Sequence, residues 1–131
     1  MAEIISLVAS IVTISKVVLL GVQHAKSMYS ASDELQSLQD QLQDFSELVC
    51  KVDHLHETKD STVVESTLSR AKLTIDEISR IIQVKLLKNI EGTQRAKRRA
   101  WAQHKSKLFR LGESLKDSRS NLLVAMSANA S

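Results

Sequence analysis

The chain has no proline and only three glycines, Gly21, Gly92 and Gly112, in 131 residues. Turns draw heavily on those two residue types, so an all-β fold with its many turns is excluded and long helices are favoured. A single cysteine, Cys50, cannot form an internal disulfide and fits a reducing compartment. The glycines are isolated from one another, which leaves no phosphate-cradling loop. There is no G-x-S-x-G elbow or other nucleophile arrangement. Carboxylates are plentiful but sit at solvating helical spacing, with no pair set apart for acid and base roles. Cys50, His54 and His56 form a C-x3-H-x-H run. Cys50 and His54 share a helical face, His56 does not, and no fourth ligand is near in sequence. The expectation there is a buried thiol followed by solvated histidines. No catalytic residue, metal or cofactor is expected.

What the chain does have is an apolar opening. From Ile4 to Val22, thirteen of nineteen residues are aliphatic or Ala and only Lys16 is charged. The few polar side chains, Glu3, Ser6, Ser10, Thr13 and Lys16, follow at steps of three or four, which draws one thin line along a helix. A helix apolar around most of its circumference is stable inside a bundle or in lipid. Its length, at ~1.5 Å per residue, nearly matches a bilayer core. A secretory leader would want a basic start, whereas this chain begins Met1-Ala2-Glu3, and Val22-Gln23-His24-Ala25 is a poor cleavage site. A permanent anchor would carry Lys16 in mid-membrane at a cost of about 2.5 kcal/mol or more. A helix held in protein and released to a membrane tolerates both facts.

The remaining pattern is helical throughout. Helices are expected over about 2–26, 33–56, 63–88, 94–101 and 103–128, forming one all-α domain, an antiparallel four- to five-helix bundle with a near-fully apolar N-terminal helix. In the second helix Leu35, Leu38, Leu42, Phe45, Val49 and Val52 alternate by three and four, with Leu48 and Leu55 widening the stripe. The third opens on Thr62-Val63-Val64-Glu65, a capping box, and carries Val64, Leu68, Ala71, Ile75, Ile78 and Ile82. The last has a seam of Leu108, Leu111, Leu115, Leu122 and Ala125 or Met126, interrupted by Ser118.

Charge is unevenly distributed. Gln94 to Arg110 holds seven Lys or Arg and no acid, so the formal +3 of the whole leaves −4 for the rest of the chain. Asp33 to Asp60 holds eight acids against Lys51 and Lys59. Arg95, Lys97, Arg98 and Arg99, followed by Trp101 and Lys105, therefore form the candidate site for anionic lipid or for a partner. The plainer alternative is that these cations solvate a helix face and pair with the acidic second helix. With one aromatic beside the cluster and no nucleic-acid module, no nucleic-acid partner is expected.

The order of parts, MAEIISLVASIVTISKV, then an acidic L-x-x-L-x-x-x-L helix, a third helix, a basic stretch ending in Ala100-Trp101 and a Leu-seamed helix with Ser120-Asn121-Leu122-Leu123, resembles the HeLo-like family. That family is the fungal N-terminal domain of STAND (NLR-like) proteins, also described as the N-terminal domain of azaphilone pigment cluster protein L. The resemblance covers nearly the whole chain. It implies a helical bundle serving as the effector end of immune-type receptors and cell-death executioners, similar in plan to the executioner domain of mixed-lineage kinase domain-like pseudokinases. It further implies action at membranes through the first helix once assembly frees it. The membrane-engaging positions would be Ile4, Ile5, Leu7, Val8, Ile11, Val12 and Ile14, and the headgroup-facing ones Arg95, Lys97, Arg98 and Arg99. The partners so implied are anionic membrane lipids, like domains in a homo-oligomer and a STAND receptor in cis or trans. The location implied is the cytoplasm, with conditional recruitment to the plasma membrane.

Overall fold

The computed structural model describes residues 2–29, 32–53, 61–86 and 94–130. They form four helices, α1 (Ala2–Tyr29), α2 (Ser32–Asp53), α3 (Ser61–Arg80) and α4 (Gln94–Ala130), with no strand among the described residues. α3 runs directly into a π-helical segment, Ile81–Leu86. That wider turn brings Ile81, Ile82 and Leu86 all to the interior.

The seams of α2 and α3 are buried as their spacing requires: Leu35, Leu38, Leu42, Phe45, Val49 and Val52 from one, and Val64, Leu68, Ala71, Ile75, Ile78 and Ile82 from the other. Leu55 lies outside the described residues. From α4 come Leu108, Leu115, Leu122 and Ala125, with Leu111 and Met126 half-buried. Ser118 is buried where the leucine is missing and lines a small cleft with Ser66, Thr67 and Asn121, a polar solution to that gap.

Contacts between side chains fix the directions. Lys26, near the end of α1, donates to Gln36 and Gln39 near the start of α2, so these two helices run antiparallel. The Tyr29 hydroxyl donates to the Leu86 carbonyl, joining the ends of α1 and α3, which therefore run parallel. Trp101 meets Glu34 at the starts of α4 and α2, another parallel pair. Lys107 meets Glu77, which makes α3 and α4 antiparallel. Consecutive helices thus alternate in direction, α1 packs on α2 and α3, α4 packs on the same two, and α1 and α4 face each other across the diagonal.

Three local outcomes differ from the sequence expectation. α1 continues to Tyr29, about a turn beyond the lapse in its periodicity, because Lys26 and Tyr29 both find acceptors there. The basic stretch and the last helix are a single helix through Trp101, since no proline or glycine interrupts 94–111. Cys50 is exposed, not buried: Val49 and Val52 occupy the inward positions and the thiol is rotated out. His54 and His56 lie outside the described residues, and no metal-capable cluster occurs among the described ones.

Ser15 joins Thr74 and Ser118 as a buried polar residue among the described ones. It is fully buried on the docked face of α1, and its Oγ has no hydrogen-bond partner. An unsatisfied buried hydroxyl costs about 1–3 kcal/mol. Ser15→Ala is therefore expected to raise the melting temperature by roughly 4–10 °C in calorimetry. An unchanged or lowered midpoint would mean that the hydroxyl is satisfied in solution.

Candidate functional site

The seven candidate positions on α1 do not share one environment. Ile11 is completely buried (0 %) and Val8 nearly so, Ile4, Leu7, Val12 and Ile14 are half-buried, and Ile5 stands 58 % exposed. Six of the seven thus face the bundle or its margin, and their access to anything else requires α1 to leave. The opposite face was not singled out from the sequence, yet it carries Val17 at 50 % and Leu20 at 62 % exposure beside Ser6, Thr13 and Lys16. The polar line therefore marks the outward side correctly. That side is nevertheless far from polar, because the apolar residues between its members are left in water.

Ile4–Tyr29 is long and apolar enough to cross a membrane, while only 28 % of its most apolar window is buried. Core helices and leaders can match the length and hydropathy, but a core helix is mostly buried.

α4 presents the basic stretch. The side chains of Arg95 and Lys97 lie outside the described residues, although the helix backbone includes both positions. Arg98 and Arg99 are exposed, with no ion pair among the described residues. Lys105 Nζ lies 2.9 Å from Glu34 Oε1, and Trp101 Nε1 donates to Glu34 Oε2 at 3.0 Å. A single carboxylate in the first turn of α2, where the helix dipole favours it, thus holds both the aromatic ring and one cation of the candidate site. Trp101 also stands against Tyr29, with ring centroids 6.3 Å apart. Burial raises the Tyr29 phenol above its ordinary pKa. The end of α1, the start of α2, the end of the π segment and the start of α4 are joined through this one aromatic pair and its two hydrogen bonds.

The five described cations from Arg98 to Arg110 do not gather on one face. Helical spacing turns Arg98 and Lys105 toward α2, Lys107 toward α3 and Arg99 outward, while Arg110 borders the cleft between α2 and α4. Among the described residues the pairing with α2 expected as the plainer alternative is realised by Lys105; Lys107 pairs instead with Glu77 of α3 at 3.0 Å. Glu77 also receives Arg80 in a two-pronged contact of 2.6 and 3.2 Å. These bonds, from Arg80 first and then Lys107, hold the Glu77 carboxyl down to about 2. Nearby, partial burial and then the positive charges of Lys85, Lys107 and Arg80 hold the His104 imidazole below its ordinary value. Neither Arg80 nor Lys85 had been associated with this site by sequence, because they lie on α3 and its extension.

Both shifts have the same sign in stability. A carboxylate depressed in the folded state contributes fully above its ordinary value of 4.5, and that contribution is lost as pH falls through about 2. A depressed imidazole adds nothing above 6.5, where it is neutral folded and unfolded, and lowers stability on acidification because the unfolded chain takes up the proton first. Carbon-detected NMR titration is expected to place the Glu77 midpoint near 2 and to move it upward in Lys107→Ala. A midpoint near 4.5 in the parent chain would mean that α4 is not tied to α3 at this point in solution.

No family model, no curated protein and no solved structure matches the chain.

Proposed function

We propose that this chain is a membrane-acting effector bundle of the HeLo-like kind, in which α1 is stored against α2 and α3 and acts on a bilayer after clustering frees it. The observation that carries the proposal is the half-docked state of α1: a helix long enough to span a bilayer is seated by one face only and leaves Ile5, Val17 and Leu20 in water. Burying that exposed strip favours lipid at ~25 cal/mol per Å². The opposing term is the loss of the docked face, which the bundle now covers. Arg98, Arg99 and Lys105, together with Arg95 and Lys97, hold anionic headgroups at about 1 kcal/mol for each cation near the surface. In this proposal the resting protein is cytoplasmic and the target is the anionic inner face of the plasma membrane. A STAND-type receptor in cis or in trans would supply the clustering.

The test is dye release from anionic vesicles by residues 1–131, free and fused to a chemically inducible dimeriser. Leakage on clustering, weaker with neutral vesicles, is the expected result. Intact vesicles under all conditions would defeat the proposal.

A second reading has its own supporting observation. Asp33, Asp40, Asp44 and Glu47 form one exposed row along α2, and none of them pairs with a cation of the chain among the described residues. Such a row suits the exposed, unpaired Arg98 and Arg99 of α4 in a second copy, giving a non-lytic adaptor that assembles head to tail. Self-association that disappears at about 0.5 M salt, without any vesicle binding, would favour it.

A further inference from the structure

A groove of about 350 Å³ runs between the N-terminal halves of α2 and α4. Leu35, Leu38 and Leu108 lie along it, and Phe109, 66 % exposed, stands beside them with its ring in water. Toward the far end the two helices come close at Gly112, where even a Cβ would lie 2.4 Å from the Gln41 side-chain oxygen. Toward the near end lie Trp101, Lys105 and Glu34. The result is a largely apolar slot, of a size within the ~300–1,000 Å³ usual for small-molecule sites, with Trp101, Lys105 and Glu34 at one end and Gln41 beside Gly112 at the other.

The first of these ends already holds a carboxylate. Glu34 accepts from Trp101 Nε1 at 3.0 Å and pairs with Lys105 Nζ at 2.9 Å, one oxygen for each donor. Its side chain is 44 % exposed, so it can turn into water without disturbing the core. Arg110 also lines the groove and has no ion-pair partner among the described residues.

We infer that the α2–α4 groove binds a free long-chain fatty acid, whose carboxylate takes the Trp101–Lys105 donor pair from Glu34 while its tail lies along Leu35, Leu38, Leu108 and Phe109. Exchanging one carboxylate for another leaves the donors as well satisfied as before. An alcohol head that displaces Glu34 would replace a charge-assisted pair with a neutral one, so the carboxylate discriminates between heads while the covered slot supplies the affinity, and Glu34 acts as the resident competitor. The inference is independent of the membrane reading, since the groove is open with α1 docked.

The experiment is titration of the full chain with hexadecanoate at submicellar concentration, followed by calorimetry and by the emission of Trp101, the only tryptophan. Hexadecanol serves as the same tail without the carboxylate. Saturable one-to-one binding is expected, with hexadecanol at least about tenfold weaker. Glu34→Gln should tighten binding several-fold, and Lys105→Ala should weaken it roughly tenfold. Phe109→Ala, at an exposed position that the fold does not need, should weaken binding while leaving the melting temperature unchanged. Equal binding of acid and alcohol, indifference to Lys105→Ala and Phe109→Ala, or affinity for anionic vesicles with none for hexadecanoate would each overturn the inference. Vesicle binding alone would leave the membrane proposal standing. Dimerisation that competes with hexadecanoate would support the groove as the site, whereas dimerisation without fatty-acid binding would assign it to a second copy and overturn the inference.

Discussion

Val17→Asp is expected to leave the melting temperature of the bundle within a degree or two and to reduce vesicle leakage by about a hundredfold. The first half follows from position: Val17 is half exposed on the outward face of α1, and substitutions at such sites usually move stability by no more than ~0.5 kcal/mol. The second half follows from the bilayer. Position 17 lies near the middle of Ile4–Tyr29, where an aspartate raises the insertion free energy by about 2.5–3.5 kcal/mol. A loss of that size is roughly two powers of ten. Ile11→Glu would be the wrong variant for this purpose, although Ile11 is among the candidate membrane positions. Ile11 is fully buried, so a glutamate there places an unpaired charge in the core and unfolds the resting state before any membrane is met. If Val17→Asp leaks as well as the parent, α1 does not enter the bilayer.

Ile11→Ala is expected to do the opposite: to destabilise the bundle by about 2–4 kcal/mol and to increase leakage without any clustering. Removing buried methyl groups from a docked helix costs the lost transfer free energy plus that of the cavity left behind. The cavity term falls on the docked state alone, because lipid closes around an alanine, whereas the transfer term is lost in lipid as well. For a chain of this length the melting temperature should fall by roughly 10 °C. The adaptor reading expects a different pairing, a less stable protein that is merely less able to assemble. Parallel measurement of melting and of spontaneous leakage separates the two. Ser15→Ala moves the same balance the other way and should delay leakage while it raises stability.

The seams of α2 and α3 could be read residue by residue because apolar and polar side chains alternate there with the helical period, and a periodic stripe has only one face to bury. α1 has too little contrast for that. The polar line Ser6–Thr13–Lys16 indicates its outer side, but nothing local says that Val17 and Leu20 are left beside it, uncovered. The basic stretch was legible as composition and not as geometry. Glu34 is 67 residues from Trp101, and its place in the first turn of α2 already accounts for its presence without reference to α4. Cys50 fell on the wrong side because a one-residue step along a helix is a turn of about 100°, enough to carry a thiol from the Val49 face into solvent. The π segment was not legible at all, since Ile78, Ile82 and Leu86 keep an ordinary spacing of four.

The two ends of α1 are not held alike. Toward the chain start Ile4 and Leu7 are half-covered and Ile5 is open; toward the other end Val18, Val22 and Ala25 are sealed, Lys26 is hydrogen-bonded to α2 and Tyr29 to the π segment. Undocking would accordingly be directional, peeling from the first turn toward a pivot at Tyr29 rather than lifting the whole rod at once. Amide exchange should record that order as a gradient, fastest near Leu7 and slowest near Val22. A bulky fusion ahead of Met1 would then burden the leading tip, whereas the same cargo after Ser131 would leave it unencumbered.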